Sequence, residues 1–156
     1  MAVRTNELQW GVLSTAVGPR ARLLRNLLRM RAAMVTEPYD LPAGSLTVLS
    51  LISANQGCSQ SALADRSGLF TTNVVNIVNE LENRSLVRRV RSKEDRRFKT
   101  VVLTEEGRTF MEALRIQIAA IEDEIFKEFK EHEMVQFVEF LDRAIAALNR
   151  SPRPGE

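Results

Sequence analysis

The chain has 156 residues, a length that suits one domain with a core of its own. Hydrophobic residues make up 44% and charged residues 27%, as in an ordinary globular protein. The net charge of +2 hides an uneven distribution, since residues 59–103 hold nine bases and five acids whereas residues 104–150 hold six bases and eleven acids. A basic middle and an acidic end predict that one part of the chain faces a polyanion.

Several classes of protein are disfavoured by what the sequence lacks. The start, MAVRTNELQW, has no apolar stretch of a signal peptide, and no apolar run is long enough to span a bilayer, so we expect a cytoplasmic protein without membrane contact. Cys58 and His132 are single residues of their types, which argues against a disulfide, a metal site or a cofactor. Cys58 is expected to be a plain thiol, with a redox role as the alternative. No glycine-rich phosphate loop or nucleophile elbow is present, so we predict no catalytic residue and no enzyme.

The N-terminal third is predicted to be helical. Asn6–Val17 carries apolar residues at helical spacing, and Gly18 with Pro19 is expected to break that helix because proline lacks a backbone N–H. A stronger amphipathic helix is expected from Arg20 onward. After a connector, a further helix is predicted over Ala43–Ala54, entered through a proline in its first turn.

A helix, a glycine turn and a second helix follow. Ser59 is suited to cap the first helix, Ser59–Ser67, because its hydroxyl accepts a hydrogen bond from a free backbone N–H. Gly68 suits the positive φ of a tight turn. The second helix is expected to start near Thr71, with that threonine as its cap, and its apolar spacing predicts that it buries Val74, Ile77, Val78 and Leu81.

The opposite face of the second helix is nearly free of charge. It carries side chains that donate and accept hydrogen bonds, with one valine among them: Thr71, Thr72, Asn73, Val75, Asn76 and Asn79. A helix that lies in the major groove of DNA requires such groups at the base edges. The pattern therefore predicts a recognition helix.

A basic β-hairpin is predicted next. Leu86–Arg91 and Phe98–Leu103 have the composition of strands, and the polar loop SKEDRR lies between them. From Arg84 to Lys99 the chain holds eight bases against two acids, an electrostatic signature for phosphate. A merely solvated hairpin is the alternative for such a run, but its place after a helix-turn-helix favours DNA.

The segment from Leu41 to Phe110 resembles the MarR (multiple antibiotic resistance regulator) family of bacterial transcription factors. The resemblance rests on the motifs SQSALADRSGL, LENRSLVRR, EDRR and LTEEGR. Three positions depart from the usual family pattern: Ser85 replaces a glycine, Phe70 replaces a polar capping residue, and Asn76 stands where arginine is common.

The resemblance implies a mainly α fold with a small β-hairpin, a winged helix-turn-helix with N- and C-terminal dimerisation helices. The expected divisions are 1–40 for the N-terminal dimerisation helices, 41–104 for the DNA-binding domain, 105–150 for the C-terminal dimerisation helices and 151–156 for a flexible tail. Long apolar lines after Thr104 fit a homodimer, although they are also compatible with coverage by the chain's own domain. A small aromatic or anionic effector is a further partner that the resemblance implies. No effector-binding residue is assigned, because the residues that could line such a pocket also have the spacing of core residues. These are Trp10, Met30, Met34 and Tyr39.

The DNA contacts are predicted residue by residue. Base contacts are assigned to Thr71, Thr72, Asn73, Val75 and Asn76, which favours an A·T-rich site because asparagine pairs with adenine and valine packs on a thymine methyl. Backbone and wing contacts are assigned to Ser59, Arg88, Arg89, Lys93, Asp95, Arg96 and Arg97. Arg96 is the candidate for the minor groove, with Lys93 as its substitute, and the family pattern pairs Asp95 with Arg97. For Arg88 and Arg89 a solvated strand is the alternative.

These observations leave three functions open. The first is a homodimeric repressor of transcription that binds a near-palindromic duplex and is relieved by an effector. The second is a dimeric DNA-binding protein without a ligand, which acts by competition with other DNA-bound proteins. The third is a winged-helix module that binds protein, against which the basic hairpin argues.

Overall fold

The computed structural model describes residues 9–91 and 99–150. Within these ranges the elements of regular structure are helices and one antiparallel hairpin, so the predicted mainly α fold with a small β-hairpin is confirmed. The elements in chain order are α1 (Val17–Thr36), α2 (Ser45–Ala54), α3 (Gln60–Ser67), α4 (Thr71–Asn83), β1 (Val87–Arg91), β2 (Lys99–Leu103), α5 (Glu105–Phe126) and α6 (Glu131–Arg150). Contacts between Cα atoms divide the chain into two units, Met1–Arg115 and Ile116–Glu156.

The start of the chain differs from the prediction. The α-helix expected over Asn6–Val17 is wrong for its described part, where Gly11–Leu13 forms a single 3-10 turn and Gly11 has a φ of 54° that an α-helix does not allow. The expected break at Pro19 is also wrong, because α1 begins at Val17 and includes this proline in its first turn. The missing N–H has no intrahelical partner at that position, so the ring is tolerated.

The start of α2 is set by a glycine. The helix begins at Ser45, two residues later than predicted, because Gly44 adopts a left-handed conformation with a φ of 93°. The hydroxyl of Ser45 donates a hydrogen bond of 2.7 Å to the carbonyl of Pro42 and is fully buried. A non-glycine residue at position 44 would be strained there, and its Cβ would lie 3.0 Å from Leu69 Cδ1.

The core of the first unit is built from one face of each short helix and of the hairpin. The predicted buried face of α4 is confirmed, since Val74, Ile77, Val78 and Leu81 are all at most 2% exposed. The residues that pack around it from the other elements are Leu41, Val48, Leu49, Ile52, Leu63, Ala64, Leu86, Val87, Val101 and Leu103. This packing holds α4 from one side and leaves its opposite side in solvent.

The hairpin is in register from Val87 opposite Leu103 to Arg91 opposite Lys99. A short segment before α3 adds to the ladder: Val101 N–H donates to the carbonyl of Cys58 at 2.9 Å, and Gly57 N–H donates to the carbonyl of Val101 at 3.0 Å. The hairpin is therefore tied to the start of the helix-turn-helix by backbone hydrogen bonds.

The junction between the hairpin and α5 is a close contact of backbones. Ser85 adopts a left-handed conformation with a φ of 59°, which explains why this turn position favours glycine. Thr104 caps α5 as predicted, since its Oγ1 accepts a hydrogen bond of 2.9 Å from Gly107 N–H. Thr104 N–H in turn donates to the carbonyl of Leu86 at 3.2 Å.

Two helices present apolar faces to solvent. On α1, residues spaced by four, three and four are each at least half exposed: Leu23, Leu27, Met30 and Met34. In the second unit, none of the described residues of α6 is buried, and its exposed apolar side chains include Val138, Leu141, Ile145 and Leu148. None of the helices in residues 9–91 and 99–150 is long and apolar enough to cross a membrane.

Candidate nucleic-acid interface

The solvent side of α4 carries a line of uncharged polar side chains. Thr72, Asn76 and Asn79 are spaced by four and three residues and are all exposed. At 100° per residue they lie almost directly opposite the buried side chains of the same helix. The helix therefore presents hydroxyl and amide groups on a rigid support, as readout of base edges requires.

The five predicted base-contact residues lie in the first two turns of α4. Thr71, Thr72, Asn73 and Asn76 are exposed, and Val75 is half-buried at the edge of the exposed face. The structure thus brings them together on one end of one helix. Contact with DNA remains a prediction for each of them.

The cap of α4 differs from the prediction. Phe70 and not Thr71 occupies the N-cap position, and no side-chain hydrogen bond caps the helix among the described residues. Thr71 is the first helical residue because the carbonyl of Phe70 already accepts hydrogen bonds from Asn73 N–H at 2.9 Å and Val74 N–H at 3.1 Å. The hydroxyl of Thr71 is thereby not used as the cap that its sequence position suggested.

Arg89 connects the hairpin to α4. Its guanidinium forms an ion pair with Glu82, and its Nη2 donates to Asn79 Oδ1 at 2.7 Å and to Gln60 Oε1 at 3.4 Å. The side chain of Arg89 is 17% exposed. These contacts fix β1 against α4 and orient the amide of Asn79 at the edge of the candidate interface.

The other predicted backbone contacts are distributed around α4. Arg88 is exposed on β1, and no ion pair with it is found among the described residues. Ser59 caps α3 as predicted, since its Oγ accepts from Ala62 N–H at 3.1 Å, so its hydroxyl is engaged in the fold. The wing residues Lys93, Asp95, Arg96 and Arg97 lie outside the described residues. Phosphate contact remains a prediction for all these residues, including Arg89.

The carboxylate of Glu82 is stabilised in its charged form. The hydrogen bond that it accepts from Arg89 N–H at 2.9 Å is the main cause, and the Arg89 guanidinium adds to it, so the pKa of Glu82 is lowered from its ordinary value. A lowered pKa means that this contact stabilises the fold above the unfolded pKa and that the stabilisation is lost as the pH falls through the folded pKa.

Glu82→Gln should therefore lower stability at neutral pH but not in acid. We expect a loss of about 1 kcal/mol in the free energy of unfolding at pH 7, a modest value because the carboxylate is 37% exposed. The difference from the parent protein should shrink as the pH falls below about 4. Urea unfolding at several pH values measures it. Glu112→Gln, which removes an exposed partner of Arg115, is the control, and an equal effect of both substitutions would contradict the assignment.

Cys58 is a free, half-buried thiol beside the helix-turn-helix. Burial raises its pKa, which disfavours the reactive thiolate at neutral pH. It borders a cavity of about 250 Å³ that is also lined by Leu51, Asn55, Ala62, Leu63 and Arg66. These observations favour the plain thiol over a redox role.

In the ranges that the structure describes, no group of three histidine, cysteine or acidic side chains is placed to hold a metal.

Comparison with known proteins shows a similarity to one family of transcriptional regulators. A model of the MarR family matches residues 39–97, a segment that contains α2, the helix-turn-helix and β1. Over this segment the chain is similar to the MarR family. None of the curated proteins matches it significantly. Members of the MarR family are transcriptional regulators with a DNA-binding winged helix, so the predicted resemblance and winged-helix fold are confirmed.

Solved structures of MarR regulators superpose over most of the chain. The transcriptional repressor CouR bound to a 23-mer DNA duplex is 26% identical with a TM-score of 0.76, over 89% of this chain and 99% of that one. CouR from Rhodococcus jostii RHA1 bound to p-coumaroyl-CoA is 27% identical with a TM-score of 0.73, over 83% and 91%. A MarR/EmrR family regulator from Acinetobacter sp. ADP1 shares the fold at 21% identity with a TM-score of 0.80, over 89% and 99%.

Sequence reasoning missed the residues that position α4. Glu82 and Gln60 hold Arg89, but neither was singled out. The sequence did contain a signal for the ion pair: Glu82 lies near the end of a helix that directly precedes an arginine-rich strand. Gly107 in the motif LTEEGR was used only to recognise the family, although its structural role is specific.

Proposed function

We propose that the chain is a homodimeric, sequence-specific DNA-binding regulator of transcription, a repressor that a small molecule releases from DNA, without a catalytic role. The observation that carries the proposal is the exposed line of Thr72, Asn76 and Asn79 beside the basic strand β1. We also propose a cytoplasmic location, because a bacterial regulator of transcription binds DNA in the cytoplasm.

The proposed binding mode places α4 in the major groove. Asn76 hydrogen-bonds to adenine, Val75 packs on a thymine methyl, and exposed arginines such as Arg88 contact phosphates. Bidentate contacts to guanine use arginine or lysine, and the proposed base-contact residues include neither. We therefore expect these side chains to favour A·T pairs over G·C pairs. CouR, a similar protein, has been solved on a 23-mer duplex, which supports this mode.

The proposed dimer forms through helices at both ends of the chain. The exposed apolar faces of α1 and α6 support this dimer, because exposure of so many apolar side chains to water is unfavourable. We accordingly propose residues 1–40 and 105–150 as dimerisation segments around a DNA-binding domain of residues 41–104. A two-fold dimer presents two copies of α4, so the operator is expected to be a near-palindrome with half-sites roughly 34 to 36 Å apart.

Release by an effector is the finer part of the proposal. CouR binds p-coumaroyl-CoA in its solved structure, which supports a small aromatic or anionic effector here. The alternative is a dimer that binds DNA without a ligand and acts by competition. A thermal-shift screen with phenolic acids and with p-coumaroyl-CoA separates the two, because a ligand of the native state raises its apparent stability. A hit that also releases the duplex supports the repressor, whereas stabilisation by none of them favours the alternative.

Asn76→Ala tests the recognition helix. We expect a loss of about 1 to 3 kcal/mol in discrimination between operator variants, because the amide supplies a bidentate contact to one base. Fluorescence anisotropy on duplexes selected by the protein from random DNA measures it, at two salt concentrations to separate the phosphate contribution.

Asn83→Ala is the matched control for that experiment. Asn83 is exposed on the same side of α4 but is its last residue, whereas recognition helices contact bases through their N-terminal residues. An unchanged ranking of operator variants after Asn76→Ala, or an equal change after Asn83→Ala, would rule out the assigned base contact.

A further inference from the structure

Phe70 is an apolar side chain in an unexpected place. It is 81% exposed, and in the described parts of residues 41–115 it is the one large apolar side chain in the exposed class. The neighbouring large apolar groups of this segment are buried or half-buried in the core. A phenyl ring exposed to this degree has apolar surface left to bury, and its removal from water by a partner would be favourable.

The backbone on both sides of Phe70 is fixed by the fold. Gly68 ends α3 in a left-handed conformation with a φ of 67°, and Leu69 N–H donates to Ser67 Oγ at 3.3 Å. Leu69 packs against the core cluster, and the carbonyl of Phe70 begins α4. The turn is thus fastened on both sides of Phe70, and the phenyl ring stands outside the core at the N-terminal end of the recognition helix.

The helix would gain from a different residue here. Serine, threonine, asparagine or aspartate at the N-cap accepts a hydrogen bond from the first free N–H groups, and phenylalanine does not. The chain therefore carries an exposed aromatic group at a position where a small polar residue would stabilise α4. A residue that is unfavourable for the fold is expected where it contributes to binding.

We infer that Phe70 contacts the C5-methyl group of a thymine at the edge of each half-site and makes this position specific for thymine. The inference rests on the proposed function, because it assumes that α4 enters the major groove. The thymine methyl is the apolar feature of that groove, and phenylalanine is among the side chains that pack on it. Phe70 directly precedes Thr71 and Thr72 at the N-terminal end of α4, and recognition helices contact base edges through that end.

Replacement of thymine by uracil tests the contact, since uracil lacks only the methyl group. On a duplex selected from random DNA, each thymine of a half-site is changed to uracil in turn. We expect one position at which the parent protein loses affinity about fourfold per half-site, the change that burial of one such group predicts. For Phe70→Ala, affinity for the thymine duplex should fall by a similar factor, and uracil at that position should have no further effect.

Two variants separate binding from stability. Phe70→Leu keeps an apolar group and should retain most of the preference for thymine. Phe70→Ser restores a capping hydroxyl, so its melting temperature should rise while its affinity for the thymine duplex falls. Opposite signs of these two effects are not expected from a merely structural role.

The outcomes distinguish this inference from the proposed function. If the parent protein binds no duplex, the proposed function fails. If it binds but uracil weakens Phe70→Ala as much as the parent at every position, Phe70 does not contact a thymine methyl and only the inference is overturned. Loss of the uracil effect in Phe70→Ala with retention in Phe70→Leu supports it.

Discussion

Gly107→Ala is expected to lower the free energy of unfolding of the first unit by about 3 kcal/mol or more. A Cβ atom at this position would lie 1.9 Å from the carbonyl oxygen and 2.9 Å from the carbonyl carbon of Leu86, distances that real Cβ atoms do not adopt. The carbonyl is not free to move, since it accepts hydrogen bonds of 3.2 Å from both Thr104 N–H and Thr104 Oγ1. A loss of this size is a large fraction of the stability of a typical domain. Urea unfolding followed by circular dichroism measures it.

Gly18→Ala is the control for this substitution. Gly18 lies in the first turn of α1, and nothing is found within 4 Å of the position that its Cβ would take. Alanine there should be neutral or stabilise the helix by up to about 1 kcal/mol, because it is the better helix former. If both alanine variants unfold at the same urea concentration as the parent, the close approach of α5 to Leu86 is wrong.

The features that the sequence predicted best are those set by neighbours along the chain. Spacing alone identified the buried face of α4, because a helix fixes which residues share a side. Ser59 and Thr104 were recognised as caps since a hydroxyl next to a helix start has one dominant use. The same local reasoning failed at Thr71, because Phe70 occupies the N-cap position although its side chain cannot accept a hydrogen bond from a backbone N–H.

The features that escaped prediction depend on distant parts of the chain. A glycine inside a helix indicates only a weak helix former, and the partner that requires Gly107 lies in the segment before β1. Alternation along β1 places Arg88 and Arg89 on opposite faces, but only the packing of the strand on α4 decides which one meets Glu82. The sequence thus predicted a basic strand without showing which arginine is engaged by the fold.

Ile145→Glu is expected to convert the proposed dimer to a monomer and to weaken DNA binding by about 100-fold or more, since the two recognition helices would no longer be linked. Ile145 is 51% exposed in the single chain, so the substitution should leave the helix folded. In the proposed interface a carboxylate would be buried without a partner, next to other acids of the same segment. Light scattering coupled to size exclusion measures the mass, and anisotropy measures the affinity for the selected duplex.

Gln136→Glu is the matched control because it adds the same charge on the other side of α6. Gln136 is exposed and nine residues before Ile145, a half turn away around the helix axis. The homodimer predicts that Gln136→Glu keeps both the mass and the affinity of the parent protein, whereas Ile145→Glu loses both. A dimeric Ile145→Glu variant with full affinity would exclude this face of α6 from the interface, and a monomeric parent protein would exclude the homodimer itself. The two substitutions add equal charge, so any difference between them reports the apolar face and not the acidity of the segment.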